Sequence, residues 1–517
     1  MIATAFPDAT RAGMRMLRKG GNAVDAACAA ALALCVCEPQ SSGLGGQTML
    51  LIGLEGKVLA IDGSSRAPSL AHVNAIYRGD RSCGYRAATV PSTLATLWYV
   101  NQQYGKLPWK TLLQPAIRIA EDGYKITPLQ RNLQEREIES FNNVSSRSGK
   151  KYFFDNDRPY SVGAIFSQPE LTMLLKRLAN KGVEEFYIGD VAKQIDADMR
   201  ENGGLLRYDD LALIPWPIVR KPLRRKFRNV TVYSMPPPCA GRTLLFTLMM
   251  ANTISPKYLH DKETDRALLL VEIFRKALLE RADRPFDPNF YPQVTEKDML
   301  SKKYARQCVI DITRDKHIHM PIRETEDELS GETTHLSVID KDGMAVSLTQ
   351  SIEKVYGGKA AAAGLGFLYN NYMVDFEYKH IGHPFYLRPN AVPWATVAPT
   401  LIFHGNKVWM AVGSPGSERI FSSITQFLLH TIDEHQPISE AMFAPRLHCS
   451  LGGRMSIEVD RFPHEMVDFF QRKGYRIDKR PNFSFYLGAI HAVLKKQSGP
   501  GFQGVADKRR DGVAGGY

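Results

Sequence analysis

The chain has 517 residues, 44% of them hydrophobic and 23% charged, with a net charge of +12 and 7 cysteines. That composition excludes a disordered or fibrous chain and allows a large core without disulfides or metals. No run reaches the ~18 apolar residues of a membrane span, and the basic excess is spread out rather than gathered into a nucleic-acid-binding stripe.

In chain order, Asp8 is placed to cap a helix through Arg18 that stops at Gly20-Gly21. Asn22 then caps a second helix, Ala23 to about Cys37, with Asp25 in its first turn. Small side chains on all sides of that helix predict burial between other elements. Cys35 and Cys37 read as buried small residues rather than metal ligands, and the odd cysteine count does not make a disulfide framework. A Gly-rich turn, Ser41 to Gln47, precedes two strand-like runs, TMLLIGL and KVLAID, joined through Glu55-Gly56. Residues 100–135 and 167–200 read as helical, with a polar surface excursion over 138–160. The proline loop Met235 to Cys239 leads into a helix over Leu244 to Asn252, and 263–283 forms another. Residues 312–332 are dense in charge and read as exposed and mobile.

After Thr333 the pattern changes. HLSVID and MAVSLTQSI alternate as strands around Lys341-Asp342-Gly343, and PTLIFH and KVWMAVGS do so around Gly405-Asn406. The stretch from Ser414 turns from strand into helix, and a helix over 462–473 and two more short strands close the chain. The reading is one α/β body of sheets covered by helices.

Standard phosphate-loop, zinc-protease and serine-hydrolase signatures are absent, and His464-Glu465 lacks the second histidine of a zinc motif. No metal or cofactor is called for. The informative stretch begins at Gly331. A cut between Glu332 and Thr333 would expose a threonine whose hydroxyl is the nucleophile and whose own α-amine, titrating near ~8, is the base. Read from the residues, the same Thr-Thr pair also suits an ordinary strand start. GSPGSERI (Gly413 to Ile420) ends a strand and starts a helix, where backbone N–H groups can face an oxyanion.

Five blocks in order resemble the γ-glutamyltranspeptidase family of N-terminal-nucleophile (Ntn) hydrolases. They are GGNAVDAACAAALALCVCEPQSSGLGG, MPPPCAG, TTHLSVIDKDGMAVSLT, FLYNNYMVDF and GSPGSERI, and the closing GVADKRRDGVAGGY also fits. The resemblance implies a four-layer αββα sandwich assembled from two self-cleaved pieces, a large one of 1–332 and a small one of 333–517. It implies that Thr333 attacks an amide carbonyl, forms an acyl-enzyme and passes the acyl group to water or an amine. Ser351 falls where a hydroxyl braces the new amine, Gly416 and Ser417 supply the oxyanion N–H groups, and Asp375 faces the donor's α-amine.

The donor clamp departs from the family pattern. Its carboxylate-binding Arg position holds Ser64, with Arg66 one strand period further on. The amine-binding Asn position holds Glu353, the neighbouring Gln or Glu position holds Tyr372, and a carboxylate-contacting Ser position holds Thr396. The expected activity is therefore γ-glutamyl transfer or hydrolysis, with glutathione as the family's donor. The alternatives are an amidase for poly-γ-glutamate or an acylated β-lactam, and a non-catalytic binding protein on the same fold. The expected partners are a γ-glutamyl-type donor with a water or amine acceptor, the two pieces held as a heterodimer, and no nucleic acid or membrane span. The opening MIATAFPDAT carries no export signal, so the chain as written reads as cytoplasmic, and as exported if its start lies upstream.

Overall fold

The computed structural model describes residues 1–54, 56–256, 263–283, 300–315, 331–496 and 499–516. Alternating apolar residues build two facing antiparallel sheets. One has seven strands in the order 513–515, 2–4, 331–339, 345–354, 47–54, 57–63 and 218–220. The other has six, in the order 502–506, 491–495, 407–413, 400–404, 230–234 and 223–227. Because a strand shows successive side chains to opposite faces, each strand feeds two cores. Met49 and Leu51 pack between the sheets against Leu401, Phe403 and Ala411, while Leu50 and Ile52 face a helix layer. Ile402, Met410 and Val412 face the second helix layer, made by helices that include Gly241–Asn252, Glu263–Asp283 and Arg419–Leu428. The result is helix, sheet, sheet, helix.

The buried helix Ala23–Cys37 has the sequence-predicted bounds, and Asn22 with Asp25 forms a capping box. Every one of its side chains is buried, which the run of Ala and Cys permits. Both hairpins of the second half also turn where expected. Among the described residues no helix is long and apolar enough to cross a membrane, and the seven cysteines are free thiols.

Several expectations need correction. The first helix is Pro7–Arg18 with Phe6 at its cap, and Asp8 lies inside the first turn, where it pairs with Arg11. Residues 100–135 hold parts of three helices, Thr93–Tyr104, Trp109–Asp122 and Pro128–Asn142, because Gly105, Pro108 and Gly123 interrupt the run. The 167–200 stretch is likewise divided at Gly182 and Gly189. The 138–160 excursion is packed: a short helix, Ser148–Phe153, buries Phe153, and Phe141 meets Phe154 edge-on at 4.9 Å. Its polar surface residues conceal that aromatic side. Of the charged segment 312–332, residues 312–315 end a helix and Gly331 and Glu332 begin a buried strand, while 316–330 lie outside the described residues. After the helix His464–Arg472 come four strands rather than two, each only 3–5 residues long, too short for alternation to mark them all.

The chain's end is pinned from within. Arg509 pairs with Glu458 at 2.7 Å and Arg446 with Asp507 at 2.6 Å, all four buried. Those pairs hold Arg510 against the start of strand Gly331–Ile339.

Candidate active site

Thr333 stands near the head of strand Gly331–Ile339, a central strand of the seven-stranded sheet. The pairing with strand Ala345–Lys354 slips at this point: Gln350 faces Thr334 and Glu353 faces Glu332. Ser351 and Ile352 therefore both oppose Thr333, a β-bulge that re-aims side chains next to the strand end. The Ser351 hydroxyl donates to the Glu332 carbonyl at 2.7 Å and accepts from the Glu353 N–H at 2.9 Å. The Thr333 hydroxyl donates to Ser351 Oγ at 3.5 Å. The Thr333 and Ser351 hydroxyls and the carbonyl before Thr333 thus meet within one buried hydrogen-bonded group.

The loop after strand Lys407–Gly413 lies against this strand head. Gly416 and Ser417 both have positive φ, 120° and 52°, the left-handed side of backbone space that favours glycine. A side chain at Gly416 would meet the Gly488 backbone at 3.0 Å. One on Gly331 would lie 2.8 Å from Ser417 Cβ and 3.1 Å from Glu353 Oε1, so glycine is what lets strand and loop approach.

His335, two residues along, takes no part in proton transfer to Thr333. Ser337 Oγ donates to the His491 carbonyl, so His335 Nε2 donates to Ser337 and Nδ1 accepts from Thr349. Burial holds the His335 imidazole well below its usual pKa, hence neutral.

Glu353 and Asp375 are hydrogen-bonded to each other, and burial pushes both carboxyls up, Asp375 the further. Each carboxylate disfavours ionisation of the other, while Lys354 and Arg281 oppose that rise. Glu353 also sits at φ 79°, a left-handed conformation uncommon for a long side chain. Asp375 Oδ2, the Tyr372 hydroxyl and the Gln47 amide nitrogen are buried and lack a well-formed hydrogen bond. Tyr372 lies beside Ser351 and Gln47, and burial raises its phenol well above the usual range.

Ser64 and Thr396 lie on stretches that reach the same region: the Ser65 N–H donates to Gln47 Oε1 at 2.8 Å and the Trp394 N–H to the Asp375 carbonyl at 3.5 Å. Ser64 gives its hydroxyl to Asp62 at 2.5 Å, and Asp62 pairs with Arg220 at 2.6 Å. Arg66 bridges Val90 through its backbone and reaches Asn390 at 3.5 Å. It lines a cleft with Asp210, Leu213 and Asn390. The strand period breaks down because the chain leaves the sheet at Gly63. Thr396 is half-buried on a stretch pinned by hydrogen bonds from Ala395 to Pro238 and from Ala240 to Val397.

Four residues that sequence reasoning did not single out belong to this region. Arg281 is buried, donates to the Ala395 carbonyl at 3.1 Å, lies 4.6 Å over the Trp394 ring and faces Glu418, Asp375 and Glu353. Arg510 pairs with the Glu332 carboxylate, to which Ser41 also donates at 3.4 Å. Glu38, beneath the strand, is pushed up to about 8 by burial. The blocks EPQSSGLGG and KRRDG carry three of them, but neither spacing nor periodicity shows what those residues touch.

Two facing antiparallel sheets between helix layers, with a threonine at a central strand head and an oxyanion-type loop against it, define the Ntn-hydrolase class. The chain belongs to the γ-glutamyltranspeptidase family, whose sequence profile (Gamma-glutamyltranspeptidase) matches residues 9–517. It is 30% identical to a glutathione hydrolase proenzyme of Pseudomonas aeruginosa, over 99% of this chain and 94% of that protein. It is 29% identical to the Acylase ACY 1 proenzyme of Pseudomonas sp. (strain SE83), over 99% of this chain and 92% of the relative. Among solved structures, cephalosporin acylase from Bacillus halodurans superposes with a TM-score of 0.88 at 26% identity, covering 99% of this chain and 94% of that one.

Proposed function

We propose that the chain is a self-processing γ-glutamyltransferase or hydrolase that cuts itself between Glu332 and Thr333 and then works through an acyl-Thr333 intermediate. The observation that carries this is the Ser351 hydroxyl on the Glu332 carbonyl at 2.7 Å, beside the Thr333 hydroxyl. That hydrogen bond polarises the bond to be cut. Thr333 Oγ attacks the Glu332 carbonyl carbon, a C–O bond forms as the C–N bond breaks, and the hydroxyl proton passes to the departing nitrogen. Water cleaves the ester, leaving a carboxylate at 332 and a free amine on Thr333. That amine is then the base for the same hydroxyl.

In turnover, Thr333 attacks a donor amide, the Gly416 and Ser417 N–H groups receive the oxyanion, and Ser351 braces the amine. Glu353 and Asp375 receive the donor's α-amine, with Tyr372 and Thr396 beside them. The pieces 1–332 and 333–517 stay together as a heterodimer because their strands interleave: 331–339 pairs with 2–4, and 345–354 with 47–54.

An acylase acting on a donor other than glutathione is the second reading. It is favoured by Ser64 in the arginine position and by Arg66 turned toward Asn390. Substitution of Thr333 tests the main proposal. On a denaturing gel the wild type gives two bands, the smaller beginning Thr-Thr-His. Thr333→Ala gives one uncut band, and Thr333→Ser still cleaves. Cleavage of Thr333→Ala would overturn the assignment.

A further inference from the structure

The Glu332 side chain is bound as a ligand is bound. Its carboxylate is buried, paired with the Arg510 guanidinium and hydrogen-bonded by Ser41 at 3.4 Å. Arg510 is itself buried and fixed, with Nη1 donating to the Phe485 carbonyl at 3.2 Å and its guanidinium 5.0 Å from the Phe485 ring. Arg510 Nε and Glu332 Oε2 are buried without a hydrogen-bond partner. Backbone alternation separates this pocket from the Thr333 side chain: Glu332 projects toward the helix layer with Thr334 and Leu336, and Thr333 projects toward the facing sheet.

Glu332 is also the first acyl group the site handles. This step rests on the proposed self-cleavage. After the hydroxyl attacks, Glu332 is esterified to Thr333 Oγ, the same bond that an acyl-enzyme contains. From its carbonyl carbon to its side-chain carboxylate, with Cα, Cβ and Cγ between, glutamate has a glutaryl skeleton. Once Glu332 is released as the end of the large piece, Arg510 loses its anion. A buried guanidinium without one is strongly disfavoured. Glu38 and Asp511 also face Arg510 but neither is paired with it, and nearby Asp507 is committed to Arg446 and Arg509.

We propose that Arg510 and Ser41 form an acyl-carboxylate subsite of the processed enzyme, occupied in the precursor by Glu332. It takes the terminal carboxylate of a glutaryl-skeleton acyl group. The guanidinium missing at position 64 is thereby supplied from the chain's end, on the opposite side of the strand from the Glu353 and Asp375 pair.

The test compares processed enzyme acting on two anilides of equal chain length, glutaryl and pentanoyl, in wild type, Arg510→Gln and Ser41→Ala. Wild type favours the glutaryl donor in kcat/KM by about tenfold or more, as a charge-assisted pair requires. In Arg510→Gln the ratio falls below about three, and Ser41→Ala lowers it less. Glutarate, added to wild type, inhibits at least about tenfold more tightly than pentanoate by the same interaction. That comparison decides the matter if Arg510→Gln fails to fold or cleave. Equal wild-type rates and equal inhibition, or a preference that survives in Arg510→Gln, overturn the subsite. A wild-type chain that never cleaves overturns the proposed function itself and the subsite with it, an outcome distinguishable on the gel.

Discussion

At the head of strand Gly331–Ile339 the working geometry is made largely by backbone, whereas around Asp375 it is made by side chains. The bulge opposite Thr333, the missing Cβ at Gly331 and the positive φ at Gly416 and Ser417 set the first region. The Thr333 and Ser351 hydroxyls and the Glu353 N–H are partnered before any substrate arrives. The second region holds two carboxyls whose ionisation is disfavoured by burial and by each other, and buried polar atoms without a well-formed hydrogen bond on Asp375, Tyr372 and Gln47. A backbone device tolerates side-chain exchange, since the N–H of Ser417 does not depend on its hydroxyl. A side-chain clamp changes its ligand when one residue changes.

The comparison predicts where substitutions bite. Glu38 lies under the nucleophile strand with its carboxyl raised to about 8, above the usual 4.5. A raised native pKa means that the folded chain binds the extra proton, so stability falls as pH rises from about 4.5 to 8. Glu38→Gln abolishes that slope. Relative to wild type it gains on the order of 4 kcal/mol at pH 9 and nothing below pH 4, since each tenfold difference in proton affinity between folded and unfolded chain is worth about 1.4 kcal/mol. Urea unfolding at both pH values reads the difference, and an equal offset at both would place the raised pKa elsewhere.

Gly331→Ala drives a methyl against Ser417 and Glu353 and displaces the strand head. Self-cleavage slows by about 100-fold, the usual cost of misplacing reacting atoms by ~1 Å, and thermal stability changes much less. Unchanged cleavage would show that the Ser417 loop does not act on that bond.

Ser351→Ala removes the donor to the Glu332 carbonyl and the acceptor for the Glu353 N–H. Cleavage and turnover both fall by roughly 10- to 30-fold, corresponding to ~1.5–2 kcal/mol, and Ser351→Thr restores most of each. Ser417→Gly has the smallest effect. It relieves a left-handed serine worth about 1 kcal/mol and raises the melting temperature with little change in rate. A loss of rate would give the Ser417 side chain a role that the comparison assigns to its backbone.

Local pattern made much of this fold legible. The helix Ala23–Cys37 announces itself by cap and composition, and both late hairpins by alternation around Gly-containing turns. Thr333, Ser351 and the Gly416 loop were readable because family blocks carry them. What was not legible depends on distance along the chain. Glu332 reads as the end of a solvated charged run and is instead buried by Arg510, 178 residues away. Strand periodicity does not place Arg66, because the strand ends at Gly63. Arg281 sits in an ordinary amphipathic helix, and its meeting with Trp394 exists only in the folded molecule.

The central claim is that Thr333 becomes a free N-terminal residue and carries the acyl group. Intact mass of the small piece, 333–517, measured after rapid quenching with excess γ-glutamyl-anilide, tests it directly. The account predicts one added γ-glutamyl mass, located by fragmentation on the first residue and absent when donor is omitted. An acyl group on any other residue, or a full-length chain that turns over donor without being cut, would contradict it.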